Sequence, residues 1–198
     1  MTVLKRIVDL VGAGVGAVLL SPVLLTVAVL VRVLDGSPVL FRQTRVGHHG
    51  RPFQILKFRT MASSPAPSPQ VTVSGDARIT RLGRQLRRTK LDELPQLFNV
   101  IAGDMSLVGP RPEVPQYVED WPDEARAVVL SVRPGITDPA AVELFDEEAV
   151  LARYPDPVEA YRTIVMPHKL EIYQQYVASR SLTGDLLIML ATVRRALS

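Results

Sequence analysis

Cysteine is absent from the 198 residues, which excludes disulfide bonds, thiolate metal sites and cysteine-based catalysis. The sequence also lacks a P-loop and the GxGxxG, HExxH and GxSxG motifs of common nucleotide-binding and hydrolytic sites. Its three histidines, His48, His49 and His168, do not have the spacing of metal ligands, so we interpret them as surface residues. Aromatic residues make up only 6%, which argues against a base-stacking, nucleic-acid-binding surface.

Apolar residues make up 47% of the chain and charged residues 22%. The chain is therefore too apolar to be disordered and too charged to be a polytopic membrane protein. Its length suits one compact domain with an added membrane element. We predict a mainly α fold with a small β element: a membrane helix over residues 1–36 and a compact domain over residues 37–198.

Positive charge is concentrated in the first half of the chain, although the net charge is only +3. Acidic residues are concentrated later, between Glu113 and Glu159. A basic half next to an apolar segment favours contact with anionic lipid or phosphate, and the alternative is a solubilising surface. The two basic clusters are Arg42, Arg45, Arg51, Lys57 and Arg59, and then Arg78, Arg81, Arg84, Arg87, Arg88 and Lys90.

Residues 11–31 contain no charged side chain and could just cross the hydrocarbon core of a bilayer. A cleaved signal peptide is the first alternative. Asp9 at the edge of the apolar run and the lack of a clear small-residue cleavage site argue against it. We therefore interpret the segment as a membrane element of the mature protein.

Ser21 and Pro22 interrupt this apolar segment. Pro22 has no N–H to donate to the carbonyl of Val18, so the helix is expected to kink, with the Ser21 hydroxyl bonding to the released carbonyl. Basic residues flank both ends, and the positive-inside rule places both ends on the cytoplasmic side. A re-entrant helix satisfies both observations, and a straight spanning helix stays open as the alternative.

Gly12 and Gly16 have the small-xxx-small spacing that lets two helices approach closely. This spacing is compatible with a homodimer, although it is common by chance in segments rich in glycine and alanine.

The remainder of the chain is predicted to be mostly helical. Short strands are expected at residues 39–41 and 53–59, and the Ser/Pro-rich tract at 63–69 is typical of a loop. The basic helix at 80–91 could lie on a membrane surface or form a solvated cationic face. The further helices are predicted at 92–102, ended by Gly103, and at 123–132, 147–154, 157–180 (bent at Pro167) and 182–197.

Asp92 and Glu93 are adjacent acids at a predicted helix start. Neighbouring helical side chains point about 100° apart, so one carboxylate can face a reacting phosphorus while the other holds a metal. A helix N-terminus would favour the anionic form of both, and Pro95 suits the first turn. Taken alone, such a pair is more typical of helix capping.

Arg111 lies between two prolines, and a rigidly presented guanidinium is well suited to phosphate recognition. Arg133 precedes Pro134-Gly135 in a similar turn, and Lys57, Arg59 and Arg88 are further candidate phosphate-binding cations. Two carboxylates among many cations suit a Mg²⁺-assisted attack on a diphosphate.

In several segments up to about Thr137, and in the same order, the sequence resembles the bacterial sugar transferases, the monotopic polyprenyl-phosphate phosphoglycosyl transferases. The segments are Lys5-Arg6-x-x-Asp9, Ser21-Pro22, Phe41-Arg42-Gln43 with Arg45-Val46-Gly47, Lys57-Phe58-Arg59-Thr60-Met61, Arg78-Ile79-Thr80-Arg81-Leu82-Gly83, residues 91–100 (LDELPQLFNV), residues 103–112 (GDMSLVGPRP) and residues 133–137 (RPGIT).

The resemblance implies a reaction and roles for the acidic pair. Asp92 would be the nucleophile that takes a phosphosugar from a UDP-sugar and releases UMP, and Glu93 would help to hold Mg²⁺. Polyprenyl phosphate would then receive the phosphosugar. The reaction would open glycoconjugate synthesis (capsule, exopolysaccharide, O-antigen or glycoprotein) at the cytoplasmic face of the bacterial inner membrane.

The resemblance also implies that the Ser21-Pro22 helix is re-entrant and contacts membrane lipids. The chain departs from many members where Asp138-Pro139-Ala140 follows residues 133–137, and again in the tract 63–74. The first departure, which continues to Phe145-Asp146-Glu147, and the length are similar to a short subgroup that contains only the catalytic domain, in which Asp146 is a candidate site residue; residues 37–198 would be this cytosolic catalytic domain. A non-catalytic membrane scaffold is the competing hypothesis.

Overall fold

The computed structural model describes residues 3–62, 75–143 and 147–197, which are mainly helical with two small sheets, as predicted. The helices are α1 Val3–Leu19, α2 Ser21–Leu30, α3 Arg81–Arg88, α4 Gln96–Ala102, α5 Pro115–Glu119, α6 Asp123–Val129, α7 Pro139–Glu143, α8 Glu147–Leu151, α9 Pro157–Ala160, α10 Met166–Ser179 and α11 Leu182–Leu197. The strands are β1 Leu40–Val46, β2 Pro52–Phe58, β3 Ser106–Val108 and β4 Gly135–Thr137.

The first sheet is an antiparallel pair of β1 and β2, in which Leu40 is opposite Phe58 and Val46 is opposite Pro52. A short 3₁₀ turn with His49 at a φ of 56° connects the two strands. The predicted strand at 39–41 is therefore the beginning of a longer strand. The second sheet is a parallel pair in which Ser106 of β3 is opposite Gly135 of β4.

The N-terminal apolar segment is bent by 60° between α1 and α2. The Ser21 hydroxyl donates to the Val18 carbonyl over 2.7 Å, which confirms the predicted replacement for the bond that Pro22 cannot make. Among the described residues, no single helix is long and apolar enough to cross a membrane, whereas Val3–Leu19 and Ser21–Asp35 together are. The bend is confirmed, and re-entry through one membrane face stays a prediction.

The first half of α1 is bonded to the rest of the chain through Asp9, which is fully buried. Its carboxylate accepts hydrogen bonds from the Ser106 hydroxyl at 2.8 Å and the Leu107 amide at 3.2 Å. Lys5 pairs with Asp9 at 2.8 Å and with Asp185 of α11 at 2.9 Å. These contacts hold the N-terminal helix against β3 and α11.

The glycine pair in α1 is packed within the chain. A Cβ added at Gly12 would lie 2.7 Å from Leu107 Cδ1, and one at Gly16 would lie 3.7 Å from the Leu97 side chain. The two glycines thus allow α1 to pack closely on β3 and α4 of the same chain. The homodimer stays a prediction that this glycine pair does not support.

Strand β2 separates two apolar clusters that each include part of the N-terminal segment. Ile55 packs with Ala13 of α1 and residues of α4, and Phe58 packs with Val27 of α2, the turn at Val31 and α3. A third cluster surrounds Trp121 and joins the later helices. Because β2 contacts both clusters, the side chains at its end are held rigidly relative to α1 and α2.

The predicted helices at 80–91, 123–132 and 147–154 are shorter in the structure, where they end at Arg88, Val129 and Leu151, and two other predicted helices are divided. Residues 92–102 do not form one helix: a 3₁₀ turn at Leu91–Glu93 precedes α4, because Lys90 adopts a left-handed φ of 56° and Pro95 lies before the first helical residue. Gly103, at a φ of 99°, ends α4 as predicted.

The predicted helix at 157–180 is divided into α9, a π-helical turn at Tyr161–Val165 and α10. Pro167 lies in the first turn of α10. The wider turn precedes the proline because Pro167 cannot donate to the carbonyl four residues earlier.

The predicted boundary at residue 36 falls where the N-terminal helices end. Gly36 has a φ of 87° directly after the π-helical turn Val31–Asp35. The division into residues 1–36 and 37–198 stays a prediction.

Candidate active site

The candidate site is formed by three chain segments: the end of β2, the 3₁₀ turn at Leu91–Glu93, and residues 109–113, which follow β3. Asn99 of α4 bonds to the edge of β2. Its side chain accepts from the Leu56 amide at 3.0 Å and donates to the Gln54 carbonyl at 2.8 Å. This pairing fixes α4 against β2 and brings the preceding 3₁₀ turn next to Lys57.

The segment at residues 109–113 presents Arg111. Gly109 packs directly on the following turn, since an added Cβ would lie 2.4 Å from the Arg133 carbonyl oxygen. Gly135 of β4 donates to the Pro110 carbonyl at 2.9 Å, and Pro110 itself is fully buried. The backbone before Arg111 is therefore bonded to β4, and rigid presentation of the guanidinium stays a prediction.

Glu93 is clamped by two cations. Lys57 Nζ lies 2.8 Å from Glu93 Oε1, and Arg111 Nη2 lies 2.7 Å from the same oxygen. Arg111 Nη1 makes a longer contact of 3.5 Å with Oε2. Burial by itself would raise the pKa of this carboxyl, but Arg111 and Lys57 hold it well below its usual value. Glu93 is therefore ionised at neutral pH.

Asp92 is only 6% exposed, and its Oδ1 atom has no hydrogen-bond partner among the described residues. Burial and the charge of Glu93 raise the pKa of Asp92 to about 6, although Lys57, Arg87 and Lys90 oppose the shift. An unpaired buried carboxylate is costly, and a raised pKa in a charged cluster is typical of functional sites.

The sequence prediction that a helix N-terminus favours the anionic form of both acids is wrong for Asp92. Asp92 lies in the 3₁₀ turn, and α4 begins only at Gln96. The ionised form of Asp92 instead depends on the surrounding cations.

The structure brings together Lys57, Asp92, Glu93 and Arg111, but not the other predicted cations. Arg59 is buried and donates to the main-chain carbonyls of Asp35 and Ser37 at the end of the N-terminal segment. It therefore anchors that segment.

Two further predicted cations lie elsewhere. Arg133 donates to the Gly103 carbonyl at 2.8 Å, and Arg88 is exposed in the last turn of α3. Arg87, one residue earlier, acts electrostatically on Asp92 and donates to the Thr60 hydroxyl at 3.1 Å. Asp146 lies outside the described residues.

Sequence reasoning missed Asp138, which is fully buried and acts electrostatically on Arg111. Its Oδ1 accepts from the Ala141 amide at 2.8 Å and from the Tyr173 hydroxyl at 3.1 Å, whereas its Oδ2 has no hydrogen-bond partner among the described residues. Burial raises the pKa of Asp138, and Arg111 opposes this. The one sequence feature that could have indicated Asp138 is its position directly after residues 133–137, where the sequence departs from the motif of many family members.

The donor set around Asp92 and Glu93 fits a magnesium ion that is shared with a substrate. Within the described ranges, no three His, Asp or Glu side chains come together as a metal cage. Mg²⁺ does not need such a cage, because it commonly binds one or two carboxylates together with substrate phosphates. The buried, unpaired Asp92 Oδ1 and the weakly contacted Glu93 Oε2 offer oxygens of this type.

Comparison with known families identifies the chain as a whole. The family model of the bacterial sugar transferases matches residues 1–198. The chain belongs to the bacterial sugar transferase family. The resemblance inferred from the ordered motifs is thereby confirmed.

Relatives in this family carry names that specify nucleotide-sugar and lipid substrates. The chain is 40% identical to a UDP-glucose:undecaprenyl-phosphate glucose-1-phosphate transferase of Caulobacter vibrioides over 96% of its own length and 68% of the relative. It is 36% identical to a UDP-N-acetylgalactosamine-undecaprenyl-phosphate N-acetylgalactosaminephosphotransferase of Aeromonas hydrophila, of which it spans 44%. It is 37% identical to the uncharacterized sugar transferase EpsL of Bacillus subtilis, of which it spans 88%.

Proposed function

We propose that this bacterial sugar transferase moves a sugar-1-phosphate from a UDP-sugar to a polyprenyl phosphate and releases UMP. The observation that carries the proposal is the pairing of a buried, unpartnered Asp92 with a Glu93 that two cations clamp. The names of the relatives support the same substrate classes. Because these names specify different sugars, the proposal does not specify the sugar, which the shape of the pocket would select.

In the first step, an Asp92 carboxylate oxygen attacks the phosphorus that bears the sugar. The bond between this phosphorus and the oxygen of the leaving nucleotide breaks, and UMP departs with the electron pair. The phosphosugar is then attached covalently to Asp92. In the second step, an oxygen of the polyprenyl phosphate attacks the same phosphorus, which restores the Asp92 carboxylate and yields a polyprenyl diphosphate sugar.

The surrounding cations stabilise the charge that develops during both steps. Arg111 and Lys57 lie within hydrogen-bond distance of Glu93, next to the nucleophile, where they can meet the diphosphate oxygens. Arg87 and Lys90 add positive charge near Asp92. The same cations lower the energy of the ionised nucleophile, since they oppose the rise in its pKa.

We propose Mg²⁺ as the cofactor, held by Glu93 and the substrate phosphates. When bound, Mg²⁺ would neutralise phosphate oxygens and polarise the phosphorus toward attack. The role of Glu93 in this chain is to keep an ionised carboxylate at that position, which its two cationic partners secure.

We further propose that the N-terminal segment is re-entrant and that the enzyme works at the cytoplasmic face of the plasma membrane. The 60° bend, the basic residues at both ends and the exposed apolar side chains of α1 support this. Helix α11 also leaves Leu186, Leu187 and Leu190 exposed, next to the Lys5–Asp185 ion pair that joins it to α1. A lipid acceptor would then approach the site from the membrane.

Membrane fractions containing the protein are the test system. UMP release from a UDP-sugar is expected to depend on polyprenyl phosphate and Mg²⁺ over many turnovers, and Asp92→Asn is expected to abolish it. Stoichiometric labelling of the protein by a UDP-sugar carrying ³²P in its β-phosphate, lost in Asp92→Asn, would identify the intermediate. Normal turnover by Asp92→Asn would refute the nucleophile assignment.

The competing scaffold hypothesis explains the basic surface without catalysis. It does not explain why an acidic pair is buried among cations at substantial desolvation cost. A panel of UDP-sugars screened for UMP release would test both hypotheses, because a scaffold releases UMP from none of them.

A further inference from the structure

A second group of buried charged side chains lies near Arg111, which acts electrostatically on two of its members, Glu113 and Arg45. Glu113 is 5% exposed and Lys169 only 3%. The proposed chemistry makes no use of either residue. The group consists of Arg45 from β1, Glu113 from the segment after β3, Tyr161 from the π-helical turn, Lys169 from α10 and Glu147 from α8.

Glu113 lies at the centre of this group. Its Oε1 accepts a short hydrogen bond from the Tyr161 hydroxyl and lies 3.5 Å from Lys169 Nζ. Its Oε2 lies 3.4 Å from Arg45 Nη1. Lys169 is held from the other side by Glu147 at 3.2 Å. Both oxygens of Glu113 are thus occupied by groups from two distant parts of the chain, β1 and the helical segment that contains Tyr161 and Lys169.

The same contacts fix the backbone on both sides of Arg111. Arg45 Nη1 donates to the Pro112 carbonyl at 3.2 Å, and the Val46 amide donates to the Glu113 carbonyl at 2.9 Å. On the preceding side, Gly135 donates to the Pro110 carbonyl at 2.9 Å. Arg111 is therefore the residue between two anchored carbonyls, and the Glu113 group supplies the second anchor.

Stability alone does not account for this arrangement. Removing paired charges from water costs about as much as their attraction returns, and apolar residues of similar size would often serve stability equally well. Fixing a guanidinium is different, because a displacement of about 1 Å in a positioning group can cost a factor of about 100 in rate.

We propose that the Arg45–Glu113–Lys169 group positions the Arg111 guanidinium for contact with the transferring phosphate. These three residues are positioning residues, since they act through Arg111 and do not touch the reacting atoms. The inference rests on the proposed function and deepens it.

The test is a double-mutant cycle between Glu113→Gln and Arg111→Lys. Single-turnover formation of UMP from saturating UDP-sugar is measured for both single variants, the double variant and the unchanged protein. Glu113→Gln alone is expected to slow this step by about 10- to 100-fold. In the Arg111→Lys background, it is expected to change the rate by less than about 3-fold.

Asp185→Asn is the matched control, because Asp185 is also a buried carboxylate that contacts a lysine and a tyrosine hydroxyl, Lys5 and Tyr176. Asp185→Asn is expected to change the rate by the same factor in the otherwise unchanged protein and in the Arg111→Lys variant. An equal factor for Glu113→Gln in both backgrounds would mean that Glu113 only supports the fold, and this would overturn the inference.

Glu113→Asp and Arg45→Lys serve if Glu113→Gln does not fold, as judged by its urea midpoint. If the unchanged protein forms no UMP, the proposed function fails separately. The inference is then decided by UDP affinity in the same cycle: loss of the Glu113→Gln effect in the Arg111→Lys background supports it, and independent effects refute it.

Discussion

Asp92 and Glu93 are joined by one peptide bond, and their pKa values are shifted in opposite directions. Burial and the charge of Glu93 raise the pKa of Asp92 to about 6, whereas Arg111 and Lys57 overcome burial to hold that of Glu93 well below its usual value. Both cations bond directly to Glu93, and Lys57 also acts electrostatically on Asp92. One acid is thus fixed as an anion, and the other keeps an oxygen, Oδ1, without a hydrogen-bond partner among the described residues.

Asp92→Asn is expected to remove activity and to increase stability at the same time. The pKa of Asp92 is higher in the folded than in the unfolded state, so folding favours its protonated form. Ionisation therefore costs stability as pH rises from about 4 to about 6, about 3 kcal/mol once complete. Asparagine avoids that cost. Urea unfolding in detergent at pH 8 should show a higher midpoint for the variant, and no gain at pH 4.

The rate of phosphosugar transfer to Asp92 is expected to fall as pH decreases through about 6, because attack requires the ionised carboxyl. Single-turnover UMP formation from the UDP-sugar alone is the measurement, since it avoids titration of the polyprenyl phosphate. Lys57→Met is expected to move this acidic limb to higher pH, because Lys57 lowers the pKa of Asp92. A limb that stays near pH 4 in both proteins would contradict the assignment.

Arg111→Ala is expected to abolish turnover while leaving binding to anionic vesicles intact. Glu93 would retain Lys57 but lose its bond from Arg111, which leaves a buried carboxylate less well paired and costs roughly 3 kcal/mol of stability. Vesicle flotation and UMP release are measured on the same preparation. Arg88→Ala, at an exposed site in α3, is the control and should keep turnover within about 3-fold. Unchanged turnover in Arg111→Ala would favour the scaffold hypothesis.

Pro22→Leu is expected to straighten the N-terminal segment, because leucine restores an amide donor for the Val18 carbonyl. The sequence has no cysteine, so Thr2→Cys and Ser37→Cys each provide a unique thiol. In the re-entrant arrangement, a membrane-impermeant maleimide added to intact spheroplasts labels neither position, and both are labelled in inverted vesicles. With Pro22→Leu, one of the two should become reactive in spheroplasts. Labelling of either thiol in intact spheroplasts without the Pro22→Leu change would refute re-entry.

Features with local causes could be predicted from the sequence. The Ser21 bond to Val18, the end of α4 at Gly103 and the helix at 182–197 each follow from a few neighbouring residues. Recognition of Asp92, Glu93, Lys57 and Arg111 depended on family motifs, and the structure brings these residues together.

Features that depend on tertiary contacts could not be predicted. Whether Arg59 contacts phosphate or anchors residues 35–37 depends on where the N-terminal segment ends in space. Arg87 is half-buried and acts electrostatically on Asp92, whereas Arg88 is exposed, and basic patterning does not specify this difference. The contact between Glu113 and Lys169 joins residues far apart in the sequence, which no local pattern encodes.

Because Asp9 is bonded to β3, helix α1 has a fixed length between that bond and the bend at its C-terminal end. The first point is Asp9, which is bonded to Ser106 and Leu107 of β3, the strand that precedes Arg111. The second point is the bend at Leu20. At about 1.5 Å per residue, these points are about 16 Å apart, roughly half the thickness of a bilayer core. In the proposed re-entrant arrangement, the number of residues in α1 between Asp9 and Leu20 would therefore set how deeply the segment enters the bilayer. Inserting one helical turn after Ala13 would increase this depth by about 5 Å.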